Sequence, residues 1–288
     1  MRFANLARII GVLLLGATLS GCSAIRLAYN NLPEFTFWWM DGYVDFNGAQ
    51  TPRVKDQLGA LLAWHRKNEL PRLVGLLQKA EAMAPNDVTP DQVCALFDEG
   101  RARLMAAAEQ AAGPGAELAM SLGDAQLQNI ERKYAKNNAD YASDWLEKSP
   151  DKVHQKRYEQ FLERNEDFYG TLDARQRALM RQLTDQSAFD PRRVDAERRQ
   201  RQRESLALLR RLSSGAVPPE EARQALVAYA QRISEPPPGP WRDYQQQLLK
   251  EGCSYVAMQH NATRPAQREQ AVRRLQAYEQ DLRVLMAQ

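Results

Sequence analysis

The side chains best suited to chemistry lie near the N-terminus of this 288-residue chain. His65 and Glu69 are four positions apart, a spacing that puts both on one face of a helix, where they could hold a metal ion. Asp41 and Asp45 line one edge of an earlier segment. Two ligands do not complete a metal site, and such pairs are also typical of ion pairs and helix caps. These four residues define one alternative, a metal-binding protein or an enzyme, without a definite metal ligand set or catalytic group.

A helix must position the block from Trp64 to Pro71. The proline lacks an amide hydrogen and predicts a kink in a long helix from Pro52 to about Met83. A kink frees backbone carbonyls and can shape a binding pocket. The alternative is that the proline separates two ordinary helices, with Trp64 in the core. The candidate binding residues are Trp64, His65, Arg66 and Glu69, together with Asp41 and Asp45.

The segment FTFWWMDGYVDF, residues 35–46, carries the two aspartates. At 100° per residue it predicts a helix with two apolar stripes and one acidic edge. We expect both stripes in the core, with a binding surface or a membrane-interface anchor as alternatives; acids beside anionic headgroups argue against the interface. We expect a cation from Arg66, Lys67 or residues 192–211 to meet the acidic edge. The first stripe holds Phe35, Trp38, Trp39, Gly42, Tyr43 and Phe46, the second holds Phe37, Met40 and Val44, and the edge holds Glu34, Asp41 and Asp45.

Motifs of the common enzyme classes are missing from the sequence. It contains no GxSxG, phosphate-binding loop, GxGxxG or HExxH pattern. A formal charge of +3 gives no reason to expect nucleic acid as a partner. We therefore expect a protein that is not an enzyme and has no cofactor.

The first 22 residues have the order of a bacterial lipoprotein signal. Arg2 and Arg8 precede an apolar run, Ile9 to Leu19, about half the length of the roughly 20 residues that span a bilayer. The tetrapeptide LSGC, ending at Cys22, resembles the lipobox of bacterial lipoproteins. The resemblance implies cleavage before Cys22 and acylation of this residue, palmitate included, as a durable anchor. The alternative is an ordinary secretory signal with a chance cysteine.

Ser23 follows the cysteine, where an aspartate would favour the inner membrane. We therefore expect the outer membrane, with the protein facing the periplasm. Cleavage leaves 267 residues with 37 basic and 36 acidic side chains. The expected division is a signal peptide at 1–21, a lipidated tether at 22–32 and an all-α domain at 33–288; a separate helical hairpin at 241–288, after a proline-rich linker, is the alternative.

Lipidation leaves two cysteines, Cys94 and Cys253, in an oxidising compartment. This favours one disulfide between them. The bond would close a loop of 159 residues, for which chain entropy gives about 5 kcal/mol as an upper figure. The alternative is two free thiols.

Helix starts are marked four times by a side-chain cap followed by proline. The apolar spacing after these starts is helical, and no alternating run indicates a sheet. We expect an all-α bundle of eight to ten helices, with breaks at residues 113–115, 213–219 and 234–240. The four marked starts are Thr51-Pro52, Thr89-Pro90, Ser149-Pro150 and Asp190-Pro191.

Residues 192–211 carry eight arginines against three acids. A helix this polar on all sides is solvated or bridges parts of the fold. The alternative is a surface for anionic lipid or an acidic partner.

A short pattern recurs where four helices are expected to begin. An apolar residue, a cap and a glutamine at the third helical position describe a capping box. The copies resemble the LTxxQ motif of Spy-like periplasmic chaperones, which implies chaperoning without catalysis. They are VTPDQ at 88–92, LGDAQ at 122–126, LDARQ at 172–176 and, more loosely, TRPAQ at 263–267.

Two longer blocks carry a second resemblance. After LSGC, YNNLPEFTFWWMDGYVDFNGAQ at 29–50 and LLAWHRKNELPRL at 61–73 resemble an uncharacterised family of proteobacterial lipoproteins. This implies the anchor, a helical fold and no known activity. We expect a binding, scaffolding or chaperone-like envelope protein, held on the membrane through Cys22, with an envelope protein or anionic lipid as partner. The alternatives are the metal or enzyme centre above and a carrier of a lipid or other apolar ligand.

Overall fold

The computed structural model describes the backbone of residues 20–288 and the side chains of residues 24–288. This part of the chain forms twelve α-helices and one π-helical segment, without a strand. The all-α prediction is confirmed, and the expected number of eight to ten helices is too low. The helices are α1 (Ser20–Asn30), α2 (Leu32–Val44), α3 (Gln50–Asn68), α4 (Leu70–Met83), α5 (Pro90–Met120), α6 (Asp124–Tyr141), α7 (Pro150–Tyr169), α8 (Ala174–Asp185), α9 (Pro191–Ser213), α10 (Pro219–Ser234), α11 (Pro240–Asn261) and α12 (Pro265–Met286), with the π-helical segment Ala142–Leu146 after α6.

The N-terminal predictions fall partly outside this range. The predicted signal peptide, residues 1–21, lies outside the described residues except for its last two, which begin α1. Most of the predicted tether is helical, because α1 continues to Asn30. Between residues 20 and 288, no helix is both long enough and apolar enough to cross a membrane.

The long helix expected from Pro52 to Met83 is two helices, which raises the helix count. Glu69 separates α3 from α4, and Pro71 is the second residue of α4. An amide at this position has no partner within the helix, so the proline removes no helical hydrogen bond. The Glu69 amide still donates to the His65 carbonyl over 2.9 Å. The two helices therefore follow each other without a loop.

The break expected at residues 113–115 is wrong, because α5 runs through Pro114 for 31 residues. A Cβ atom on Gly115 would lie 3.3 Å from Cδ1 of Leu226 on α10. Small side chains on this face let α10 pack closely, which stabilises α5 despite the hydrogen bond that proline removes. The buried alanines of the face are Ala112, Ala116 and Ala119.

The central helix of the fold is α5, which packs against α3, α4, α9, α10 and α11. The last two helices pack on different neighbours: α11 on α5 and α8, and α12 on α1, α4 and α7. Both therefore belong to the main body of the protein.

The arginine-rich segment lies in α9, where ion pairs inside the molecule neutralise most of its charge. Asp195 pairs with Arg199 at 2.6 Å and with Arg198 at 3.3 Å. Glu197 is shared between Arg201 at 2.9 Å and Arg232 of α10 at 3.4 Å. Both acids are buried. The sequence predicted that this helix is either solvated or bridges parts of the fold, and these ion pairs agree with the bridging role.

The recurring glutamines link helix starts that are distant in sequence. Gln126 and Gln50 exchange two amide hydrogen bonds, of 2.7 and 3.2 Å. Each also donates to the carbonyl five residues before its partner, Gln50 to Ser121 at 3.1 Å and Gln126 to Asp45 at 3.2 Å. We call this arrangement a glutamine clasp. Gln50 ends a fifth copy of the pattern, FNGAQ at 46–50, which the sequence prediction missed.

A second glutamine clasp has the same geometry and joins the starts of α8 and α12. Gln176 and Gln267 exchange bonds of 2.6 and 3.1 Å. Gln176 donates to the carbonyl of Ala262 at 2.9 Å and Gln267 to that of Thr171 at 3.1 Å, again five residues before the partner. The copy at Gln92 differs, because its exposed side chain only caps α5.

Candidate functional site

The predicted site residues of α3 hold α1 on the body. The Tyr29 hydroxyl and Nδ1 of His65 are 3.0 Å apart in a hydrogen bond. Arg66 donates to Oδ1 of Asn30 over 2.9 Å. Burial lowers the pKa of His65, and the charge of Glu69 opposes this shift. His65 and Arg66 are therefore engaged in a joint between helices.

A second contact fixes the same helix to the C-terminal part of the chain. Arg26 of α1 pairs with Asp281 of α12 at 3.1 Å. The Asp281 carboxylate is buried, which raises its pKa, while the charge of Arg26 lowers it. Because α1 also contains the backbone of Cys22, the predicted lipidation site belongs to a helix tied to the body; the Cys22 side chain lies outside the described part.

Glu69 is a buried charge at the bend between α3 and α4. Its side chain is 3% exposed, and the nearest cationic atoms are Nη1 of Arg103 at 3.6 Å and Nε of Arg72 at 4.0 Å. Within residues 24–288, no three His, Cys, Asp or Glu side chains have the geometry of a metal site. His65 and Glu69 each have a partner inside the fold, Tyr29 for His65 and Arg103 for Glu69, and Trp64 beside them is partly exposed.

The two aspartates of the acidic edge shape the turn after α2. Oδ1 of Asp41 accepts the amide of Phe46 at 2.8 Å. Asp45 is exposed in the left-handed region, with φ of 60°. The prediction of a cation beside this edge is wrong for Asp41 and Asp45, because neither takes part in an ion pair of the described chain. Glu34, the third acid of the edge, pairs with Lys55 at 3.0 Å. The Asp41 carboxylate is used by its own backbone, and Asp45 lies beyond the helix end.

The aromatic helix is confirmed as α2, but the burial of its first stripe is wrong. Phe35, Trp38 and Trp39 are 54%, 67% and 65% exposed. Phe37 and Val44 of the second stripe are buried. The reason is that α3 and α6 cover only one side of α2. The members of the first stripe that contact the core are Tyr43 and Phe46.

Two apolar pockets along α5 and α11 were not found from the sequence. The larger, of about 870 Å³, is bounded by α4, and the smaller, of about 580 Å³, is bounded by α7. Phe97 and Leu248 line both pockets; we treat the pockets as two lobes of one surface, which we call the Phe97 cleft. Its other apolar lining residues include Leu76, Leu104 and Leu249 in the larger lobe and Phe161, Phe168 and Phe189 in the smaller one.

A disulfide fixes the two helices that form the Phe97 cleft. The sulfur atoms of Cys94 and Cys253 are 1.99 Å apart, so the predicted bond is present in the structure. Cys94 lies about one turn before Phe97 on α5, and Cys253 follows Leu248 on α11. The bond therefore holds the spacing of the residues that both lobes share.

Arg157 brings a charge into the smaller lobe. Its guanidinium carbon lies 4.4 Å from the ring centre of Phe189 and 5.6 Å from that of Phe161. Burial lowers its pKa, and the charge of Glu251 opposes this shift. The Glu251 carboxylate itself binds the Ser187 hydroxyl and a backbone amide at 2.9 Å. Among the described residues, none accepts a hydrogen bond from Arg157 or lies within ion-pair distance of it.

Tyr255 also lines this lobe. Its buried hydroxyl has no hydrogen-bond partner in the described part of the chain, and burial raises its pKa. Its ring lies 4.8 Å from that of Phe161. An aromatic wall beside a guanidinium that binds no carboxylate of the described chain is the chemical complement of an anionic group on an apolar body.

The described part of the chain is all-helical and contains two apolar pockets. A sequence model for a family of unknown function, DUF6279, matches residues 42–219, more than half of the chain, and the chain belongs to this family. The expectation of an uncharacterised family is confirmed. The match includes the first glutamine clasp and Cys94, whereas Trp38, Trp39 and α11 lie outside it. No curated protein and no solved structure matches the chain.

Proposed function

We propose that this chain is a lipid-anchored envelope protein that binds an amphipathic anion in the Phe97 cleft without converting it. The observation that carries the proposal is Arg157, a guanidinium stacked between two aromatic rings of an apolar cleft with no protein anion bound to it. The LSGC sequence supports acylation at Cys22, and the outer membrane facing the periplasm is the proposed location.

The dimensions of the cleft suit a ligand with a head and a tail. Both lobes fall within the roughly 300–1,000 Å³ of small-molecule sites. The anionic head would lie at Arg157 in the smaller lobe, where a hydrogen bond to a charged group contributes about 1.5–3 kcal/mol. The tail would extend past Phe97 into the larger lobe. The disulfide holds the two helices at a fixed spacing, which lowers the ordering cost of binding.

A scaffolding or chaperone-like role is the second candidate function. Phe97 and Leu104 are exposed on one helix of the cleft, as a surface for an apolar protein segment would require. The glutamines of the LTxxQ-like copies give it no separate support, because they stabilise the fold internally.

The test is displacement of a neutral apolar fluorophore from the purified full-length protein by oleate and by oleyl alcohol. The Arg157→Gln variant should bind oleate at least tenfold more weakly, a loss of about 1.4 kcal/mol or more, and oleyl alcohol equally well. Arg181→Gln is the matched control, because Arg181 stacks on Tyr158 at 3.6 Å outside the cleft. Equal loss with both variants, or equal oleate affinity of Arg157→Gln and the wild type, would contradict the proposal.

The anchor is tested separately. Mass spectrometry of the N-terminal peptide should show an acylated Cys22, and Cys22→Ala should move the protein from the membrane to the soluble fraction. Native mass spectrometry of the protein from envelopes distinguishes the two candidate functions: a copurified lipid supports the first, and a stoichiometric protein partner with no lipid supports the second.

A further inference from the structure

The exposed apolar side chains at the N-terminal end serve neither the core nor the Phe97 cleft. Five of the ten large hydrophobic side chains exposed in the described chain fall within residues 27–39. We call these five the aromatic face. They are Leu27, Leu32, Phe35, Trp38 and Trp39.

The aromatic face contains no charged side chain. Its four members on α2 lie within an arc of about 120° at 100° per residue. The acids lie on another edge, and Glu34 is neutralised by Lys55 at 3.0 Å. Gly42 belongs to the same stripe, and a Cβ atom added to it would lie 4.0 Å from Nζ of Lys133, so this lysine borders the face. The pairing of Glu34 and the positive charge of Lys133 lessen the repulsion between the neighbouring acidic edge and anionic headgroups, although Asp45 is exposed without a cation in the described chain.

The position of the aromatic face along the chain favours a bilayer as its occupant. Leu27 follows Cys22 by five residues on α1, about 7.5 Å at 1.5 Å per residue. Because α1 is tied to the body at Tyr29 and Arg26, an acyl anchor at Cys22 would hold the face close to the membrane surface. Tryptophan is enriched at membrane interfaces, where its ring spans apolar and polar layers.

We infer that the aromatic face inserts into the headgroup region of the bilayer that carries the acyl anchor, and so sets the orientation of the body on the membrane. The inference rests on the proposed anchoring at Cys22. It assigns Trp38 and Trp39 a lipid environment, whereas Trp64, Trp145 and Trp241 stay outside the bilayer.

The test uses the lipidated full-length protein in phosphatidylethanolamine–phosphatidylglycerol vesicles, with or without brominated acyl chains. In a Trp64→Phe, Trp145→Phe, Trp241→Phe variant, all emission comes from the two face tryptophans, and brominated lipid should quench it at least twofold. In the reciprocal variant, Trp38→Phe, Trp39→Phe, the quenching should be nearly lost. If the triple variant does not fold, the loss of quenching from wild type to the reciprocal variant gives the same readout.

Flotation of the vesicles separates the two proposals. Protein that floats, with equal emission in brominated and ordinary vesicles, would overturn the inference and leave the anchor intact. Protein that does not float would overturn the anchor and the inference with it. Trp38 and Trp39 shielded from both brominated lipid and aqueous iodide would assign the face to a second copy of the chain, which also overturns the inference.

Discussion

Replacing Gln176 by alanine tests whether a glutamine clasp stabilises the fold beyond helix capping. The side chain is 1% exposed. Its Oε1 accepts from the Asp173 amide at 2.9 Å and from Gln267 at 3.1 Å. Its Nε2 donates to Gln267 at 2.6 Å and to the Ala262 carbonyl at 2.9 Å. The substitution removes all four bonds and leaves the partner groups unsatisfied.

The expected loss follows from these four contacts. A hydrogen bond contributes a net of about 1 kcal/mol, so four of them give about 4 kcal/mol. Water that enters the vacated space would satisfy some of the partners and reduce the loss. We therefore expect Gln176→Ala to lower the free energy of unfolding by about 2–4 kcal/mol.

Gln92→Ala is the matched control, because Gln92 occupies the same third position of a capping box and forms no clasp. Its exposed side chain accepts only from the Thr89 amide, at 2.8 Å, so its loss should cost about 1 kcal/mol or less. Urea unfolding followed by circular dichroism, with the disulfide intact, measures both variants. Equal destabilisation of the two would refute the reasoning. A double-mutant cycle with Gln267→Ala should give a coupling of about 1–2 kcal/mol.

Three other perturbations have expected outcomes. Reducing the Cys94–Cys253 bond should lower the free energy of unfolding by up to about 5 kcal/mol, because it closes a 159-residue loop; an unchanged urea midpoint would contradict this. His260 is buried with both ring nitrogens bonded at 2.9 Å, and burial lowers its pKa below the usual 6.5. The unfolded chain therefore binds a proton at this residue more readily than the folded chain does, so the free energy of unfolding should fall as the pH drops below 6.5. The fall should be less steep in His260→Gln, and identical pH profiles of the two proteins would contradict the contribution of His260. Tyr29→Phe removes the bond to His65 and should speed amide hydrogen exchange in α1 about fivefold relative to α7, whereas equal rates before and after would contradict the joint.

Local signals in the sequence predicted helix starts well. The caps before Pro90, Pro150 and Pro191 mark the first residues of α5, α7 and α9. The start expected at Pro52 is two residues late, because Asn47 caps the chain ahead of α3 by accepting the Gln50 amide at 3.0 Å. Side-chain caps and proline act within four residues, so they can be read from a short window.

The Phe97 cleft and the glutamine clasps could not be predicted in this way. The Phe97 cleft combines α4, α5, α7 and α11, which no periodicity within one helix relates to each other. The partners in the second clasp, Gln176 and Gln267, are 91 residues apart, and each alone has the pattern of an ordinary capping box. The disulfide was predictable because only Cys94 and Cys253 remain once Cys22 is assigned to the predicted anchor, a count that does not depend on local structure.

The orientation of α2 about its axis shows that the apolar character of a helix stripe does not by itself predict its burial. Both stripes of α2 are apolar, so the choice between them is made by groups outside the helix. Asn129 of α6 donates to the Tyr43 carbonyl at 2.9 Å, and Gln126 donates to that of Asp45 at 3.2 Å. These bonds fix the end of α2 against α6 and turn Trp38 and Trp39 to the outside. Because hydrogen bonds of the fold hold α2 in this orientation, burying the tryptophans in the protein's own core would require breaking a bond of the first glutamine clasp, whereas contact with a bilayer would cover them without that cost.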